Sequence, residues 1–96
     1  MIVSFRNQQT EEIYHDEGRR SKKALRTLPV DLWDGAYRKM AAMGAATGLN
    51  DLSLFGLEKL SKDRKGQHSI RINDQYRICF EWTEAGPREV EITDYH

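Results

Sequence analysis

Two arginines and the last three residues carry the side chains best suited to chemistry on a phosphate. Arg71 and Arg77 flank the short segment Asn73-Asp74-Gln75, and the sequence closes on Asp94-Tyr95-His96. A guanidinium grips a phosphate through paired hydrogen bonds, and two of them offset the charge that builds on phosphorus during displacement. Histidine exchanges a proton near neutral pH, and tyrosine stacks on a base or bonds a phosphate oxygen. Aspartate orients a histidine or a ribose hydroxyl. Each also has an ordinary explanation: the arginines splay into water or pair with Glu81 or Glu91, and a terminal histidine is commonly solvated. Strand register decides between the two readings.

His68 to Ile72 and Tyr76 to Trp82 alternate apolar and polar residues, the pattern of a half-buried hairpin. A three-residue loop at Asn73 to Gln75 sets Ile72 across from Tyr76, Arg71 from Arg77, Ile70 from Ile78 and His68 from Phe80. All the apolar side chains then share one face. A two-residue loop pairs Arg71 with Ile78 and mixes the faces, which register rules disfavour. Opposed arginines destabilise a sheet, so a fold gains nothing from them, whereas an anion site does. A five-residue loop from Thr83 to Pro87 would pair Trp82 with Arg88, Phe80 with Val90 and Ile78 with Ile92. Thr93 then lies opposite Arg77, and Tyr95 falls diagonally beside it on the same open face.

The elements that must hold these strands precede them. Ile2 to Phe5 reads as a short strand. Asn7 to Thr10 supplies helix-start chemistry, Glu11 and Glu12 suit a helix N-terminus, and Gly18 ends a first helix that runs to about Glu17. Arg19 to Arg26 reads as a loop or frayed turn. Pro29 fits the first turn of a second helix, in which Leu32, Trp33, Ala36, Tyr37, Met40 and Met43 form one apolar face ending near Gly48. Leu49 to Gly56 reads as a connecting loop, Leu57 to Ser61 as a short strand and Lys62 to Gly66 as a charged turn. Strand, two helices, then a strand meander predict an α+β fold, with both N-terminal helices on one face of a small, mostly antiparallel sheet. The other face is expected to be free.

The 96 residues suit one domain, spanning 1–96, with a small core. Composition is that of an ordinary globular chain, 39% hydrophobic and 31% charged. No apolar run is long enough for a membrane span, and the opening Met1-Ile2-Val3-Ser4-Phe5-Arg6 lacks a signal-peptide core, so the expected location is the cytoplasm. The single Cys79, between Ile78 and Phe80, is expected to be a packed strand residue. No zinc spacing, P-loop or dinucleotide fingerprint occurs, and no cofactor or metal is expected. His15 reads as a surface residue and His68 as a hydrogen-bonded structural one facing the core.

The formal net charge is zero but unevenly spread. Arg19, Arg20, Lys22, Lys23 and Arg26 form one basic block without an acid. Lys59, Lys62, Arg64, Lys65, Arg71 and Arg77 stand against only Asp63 and Asp74, whereas the tail after Glu81 is acidic. Binding responds to the field at a patch and not to the total, so nucleic acid stays open as a partner. Lys59, Lys62, Arg64 and Lys65 are the expected RNA- or ribosome-contacting residues, though a solvated charged turn explains Lys62 to Gly66 equally well.

The stretch from Leu57 to Trp82, with Ser69-Ile-Arg-Ile-Asn-Asp-Gln-Tyr-Arg77 at its centre, resembles HigB-type toxins of the RelE/ParE superfamily. The opening Met1 to Phe5 and the closing Val90 to His96 are similar to the same family, and Arg19 to Pro29 matches poorly. The resemblance implies a RelE-like fold and a ribosome-dependent mRNA endonuclease that inhibits translation, neutralised by a small helix-turn-helix antitoxin of HigA type. It assigns Arg77, Asp94, Tyr95 and His96 to the site, with Arg71 beside them. Some members carry a histidine and a lysine where this chain has Glu58 and Ser61, and Lys59, Lys62 or Lys65 are the nearest substitutes for the missing charge. Two other readings stand beside it. One is a toxin of the same fold acting on a protein such as DNA gyrase. The other is a non-catalytic nucleic-acid-binding module.

Overall fold

A computed structural model of the chain describes residues 1–18 and 28–94. The predicted loop at Arg19 to Arg26 and the candidate site residues Tyr95 and His96 lie outside the described residues.

Helix α1 spans Gln8–His15. Asn7 caps it, its side-chain oxygen accepting from the Thr10 N–H at 2.9 Å. The helix stops two residues before the expected end. Glu17 and Gly18 both take positive φ, and the Gly18 N–H reaches back to the Ile13 carbonyl. Pro29 precedes a short 3₁₀ turn at Val30–Leu32, which runs into α2, Trp33–Ala45. Trp33, Ala36, Met40 and Met43 of the predicted apolar stripe are buried.

Four strands follow, in the sheet order β1-β2-β3-β4, all antiparallel: β1 Glu58–Lys59, β2 His68–Arg71, β3 Tyr76–Thr83 and β4 Gly86–Asp94. Ile70, Ile78, Phe80, Val90 and Ile92 put one sheet face against Ile13, Trp33, Ala36, Met40 and Met43. This is the predicted α+β arrangement, two helices over one face of the sheet. Burial of these apolar side chains supplies most of the driving force. A buried bond ties helix to sheet: the Ile92 N–H donates to Thr10 Oγ1 at 3.0 Å.

The first hairpin has the predicted register, with Arg71 across from Arg77, Ile70 from Ile78 and His68 from Phe80. Asn73 Oδ1 accepts from the Gln75 and Tyr76 N–H groups and shapes the three-residue loop. The second hairpin departs from expectation. Thr83 pairs with Gly86, so the loop is the two residues Glu84 and Ala85, and Trp82 faces Pro87. A β-bulge then inserts one residue into β4, with Glu89 at φ 52°. Beyond the bulge the expected pairs return: Ile78 with Ile92 and Arg77 with Thr93. The loop is shorter than the five residues expected, and the extra residue of the bulge offsets the difference.

Ile2 to Phe5 is not the full strand expected. This segment runs parallel to β4, with Val3 N–H on the Pro87 carbonyl, Val90 N–H on Ser4 and Arg6 N–H on Val90, but only Phe5 with Val90 makes a ladder bridge. The expected loop at 49–56 contains a 3₁₀ helix, Leu49–Phe55, which buries Leu52 in the core. Nor is the second sheet face free. Ser69, Arg77 and Cys79 lie on it and are buried. A 3₁₀ turn at Lys62–Arg64 sends Arg64 to Glu91 on that same face, at 2.8 Å. Cys79 is the packed strand residue expected.

Candidate active site

Side chains alternate across a strand, so Ser69 and Arg71 of β2 share a face with Arg77 of β3. Glu58 sits opposite Ser69 and joins them. Arg77 is only 7% exposed. It lies across β2 toward β1: its Nε donates to Ser69 Oγ at 2.7 Å, and its terminal nitrogen donates to the Gly56 carbonyl at 2.5 Å. The same nitrogen stands 3.8 Å from the Glu58 carboxylate. The guanidinium is thus fixed by two neutral acceptors before any ligand arrives, and its charge is only loosely balanced.

Arg71 is more open, its side chain 58% exposed with Asp74 at 3.8 Å. It lines a groove of about 300 Å³ together with Arg77, Glu58, Gly56, Phe55, Leu54 and Lys39. Leu54 and Phe55 come from the 3₁₀ helix at 49–55, whose start is pinned by Asp51. That carboxylate accepts from the Thr47 N–H, the Thr47 hydroxyl and the Gly48 N–H, and these bonds hold its pKa below the ordinary value. The segment read as a plain loop therefore supplies one wall of the groove.

Lys39 was missed in the sequence. It lies three residues after Ala36 and four before Met43, so it borders the buried face of α2. Its ammonium passes the end of the sheet and donates to the Ile72 carbonyl at 3.1 Å. Burial, and then the nearby Arg71, lowers its pKa from 10.5. Three cations from two strands and one helix thus converge with one carboxylate on an open groove. The sequence signal was a lysine at the margin of an apolar stripe, which solvated helices also show.

The other expected residues are placed differently. Asp94 pairs with Tyr76 at the end of β4 and accepts from Gln75 Nε2 at 3.1 Å. It does not line the groove, because it alternates with Thr93, the residue opposite Arg77. Lys59, Lys62 and Lys65 are exposed on the edge strand and turn beyond β1. Arg64 is engaged with Glu91 and Gln67, so it anchors that turn. His68 stacks on Phe80, and its Nδ1 is buried with no hydrogen-bond partner among the described residues, not hydrogen-bonded as expected. Burial, then Lys59, lowers its pKa below 6.5. His15 is a surface residue beside Glu11.

Residues 3–96 match the family described as the RelE-like toxin of the type II toxin-antitoxin system HigB. The chain belongs to the HigB-like toxins. It is 31% identical over 88 residues to Toxin HigB-1 of Vibrio cholerae serotype O1, covering 88% of this chain and 87% of that protein. A HigB-like toxin of a type II system has an antitoxin as its partner. Among the described residues no helix of this toxin is long and apolar enough to cross a membrane.

Proposed function

We propose that this HigB-like toxin is a ribosome-dependent mRNA endonuclease that inhibits translation. The observation that carries the reading is the groove holding Arg77, Arg71 and Lys39. A surface ion-pair network would scatter such charges, whereas this groove gathers them around a space open to an RNA phosphate. In the reaction the ribose 2′-oxygen attacks the adjacent phosphorus, and the bond to the 5′-oxygen breaks. The products are a 2′,3′-cyclic phosphate and a 5′-hydroxyl, and side chains alone carry the chemistry.

Arg77, already oriented by Ser69 and Gly56, donates to the phosphate oxygens, with Arg71 and Lys39 adding charge as the pentacoordinate phosphorus forms. His96 gives a proton to the leaving oxygen, Tyr95 stacks on the RNA, and Asp94 orients the chain end. Lys59, Lys62 and Lys65 follow the RNA backbone, messenger or ribosomal, with Arg64 holding their turn. The protein acts in the cytoplasm, where ribosomes are, and a HigA-like helix-turn-helix antitoxin restrains it.

The test is brief expression in growing cells followed by mapping of mRNA 5′ ends. Translation-dependent cuts are expected, and they should disappear with Arg77→Ala and with a chain lacking His96. Unchanged cutting by both variants would overturn the site. Gyrase-dependent DNA damage with intact mRNA would overturn the activity.

A further inference from the structure

The groove has an apolar side as well as a cationic one. On the nuclease reading above, we propose that Leu54 is a base-contacting residue, packing against the face of a nucleobase next to the phosphate that is cut.

Leu54 is 92% exposed, the highest value among the large apolar side chains of the described residues. A lone leucine on an open surface needs no explanation. Leu54 differs in where it stands and in how firmly it is held. It lines the groove with Arg71, Arg77 and Lys39. The 3₁₀ helix that carries it is pinned on both sides of it. Asp51 ties the start through Thr47 and Gly48, and Leu52 is buried in the core. Gly56, in the left-handed region at φ 70°, ends the helix, and its carbonyl holds Arg77. A Cβ on Gly56 would come within 3.4 Å of Arg71 Cβ, so the end of this helix sits directly against that arginine. Leu54 is therefore an apolar side chain fixed beside the phosphate-binding guanidiniums, and its ordering is complete before RNA arrives.

A nucleotide has the matching two-part chemistry. Its phosphate is anionic, its base has an apolar face, and only the edges of the base are polar. Leucine has no donor or acceptor in its side chain, so it meets the face and leaves the edges unread. Phe55 beside it packs on the core and is half-buried, which leaves Leu54 as the apolar group presented to a ligand. A protein partner would call for a broader apolar patch. Instead Asn50, Asp51 and Ser53 of the same helix are exposed and polar. Met1 and Val3, also exposed, belong to the segment that runs along β4, at the opposite edge of the sheet from β1. A single exposed leucine in this setting suits one base.

The test is a cycle that removes the side chain and the base in turn. Affinity is measured on programmed ribosomes with mRNA carrying a 2′-deoxy sugar at the cut, and with the same mRNA lacking the base on either flanking nucleotide. Leu54→Ser should bind the complete mRNA roughly 3–10-fold more weakly, the loss expected when about half of a leucine is no longer covered. At one of the two flanking positions, removing the base should weaken the parent protein but cost Leu54→Ser nothing further. Leu54→Phe should restore binding of the complete mRNA, because a ring stacks on any base. Parent-level binding by Leu54→Ser would overturn the proposal, as would losses that simply add at both positions. Weaker binding of the purified antitoxin by Leu54→Ser, with RNA affinity unchanged, would assign the residue to that interface instead and overturn it. The melting temperature of Leu54→Ser should match the parent's, and a marked drop would show a packing role and refute the contact. Each of these results leaves the nuclease reading intact if the parent protein cuts unmodified mRNA. Absence of cutting by the parent would remove both.

Discussion

Arg71→Gln separates function from stability more cleanly than any other change in the groove. The native side chain is 58% exposed, and Asp74, at 3.8 Å, is fully exposed itself. Such a surface pair is worth about 0–1 kcal/mol. Against it stands Arg77, directly across the ladder, and opposed like charges cost about 0.2–1 kcal/mol. Lys39 registers the same repulsion, since Arg71 is the second cause, after burial, of its lowered pKa. The favourable and unfavourable parts nearly cancel, so folding stability should change by less than about 1 kcal/mol in either direction. For a domain of this size that is a shift of less than about 4–8 °C in melting temperature. Cleavage should behave otherwise. Removing one preorganised donor from a charged transition state costs roughly 10²–10³-fold in rate. The assay pairs calorimetry with single-turnover cleavage on programmed ribosomes. NMR titration of Lys39 adds a third reading, in which its pKa should move up toward 10.5 once Arg71 is gone. Parent-level cleavage would refute the idea that both guanidiniums act on the phosphate. A large loss of stability would show instead that Arg71 is structural.

Other outcomes follow from the same contacts. Arg77→Lys keeps the charge but cannot serve Ser69 and Gly56 together, so it should destabilise by about 1.5–3 kcal/mol in urea unfolding and lower the cleavage rate as well. His68 has a folded-state pKa below 6.5, so the unfolded chain binds more protons in the interval beneath that value. Stability should therefore be fully present above pH 6.5 and decline as pH falls toward the folded value; His68→Phe should flatten this part of a melting-temperature profile. Gly86→Ala should destabilise by about 1–3 kcal/mol in the same unfolding assay, because at φ 125° a Cβ would run into the Met1 carbonyl oxygen.

The register of the central hairpin was legible from the residues because only one pairing of His68–Ile72 with Tyr76–Trp82 puts every apolar side chain on one face. A period of two leaves no compromise there. The α2 stripe was legible for the same reason, and the opposed pair Arg71 and Arg77 came with the hairpin. The second hairpin was less so. Its Val90 and Ile92 had to face the core, but a short loop with a bulge and a longer loop without one satisfy that pattern equally. The backbone chose the bulge, with Glu89 at positive φ and its N–H on Ser4 Oγ.

What the sequence determined by itself was which strands pair and which arginines oppose each other, since burial of one sheet face sets both. Only the tertiary structure decided what surrounds those arginines. Lys39 enters from a helix distant in the chain, Leu54 and Phe55 from a segment with no periodic signature, and Glu58 from a two-residue edge strand. The burial of Arg77 is likewise tertiary, since its partners Ser69 and Gly56 meet it only when β1, β2 and β3 lie side by side. Local patterning specifies a face. The company a charge keeps on that face depends on packing between elements far apart in sequence.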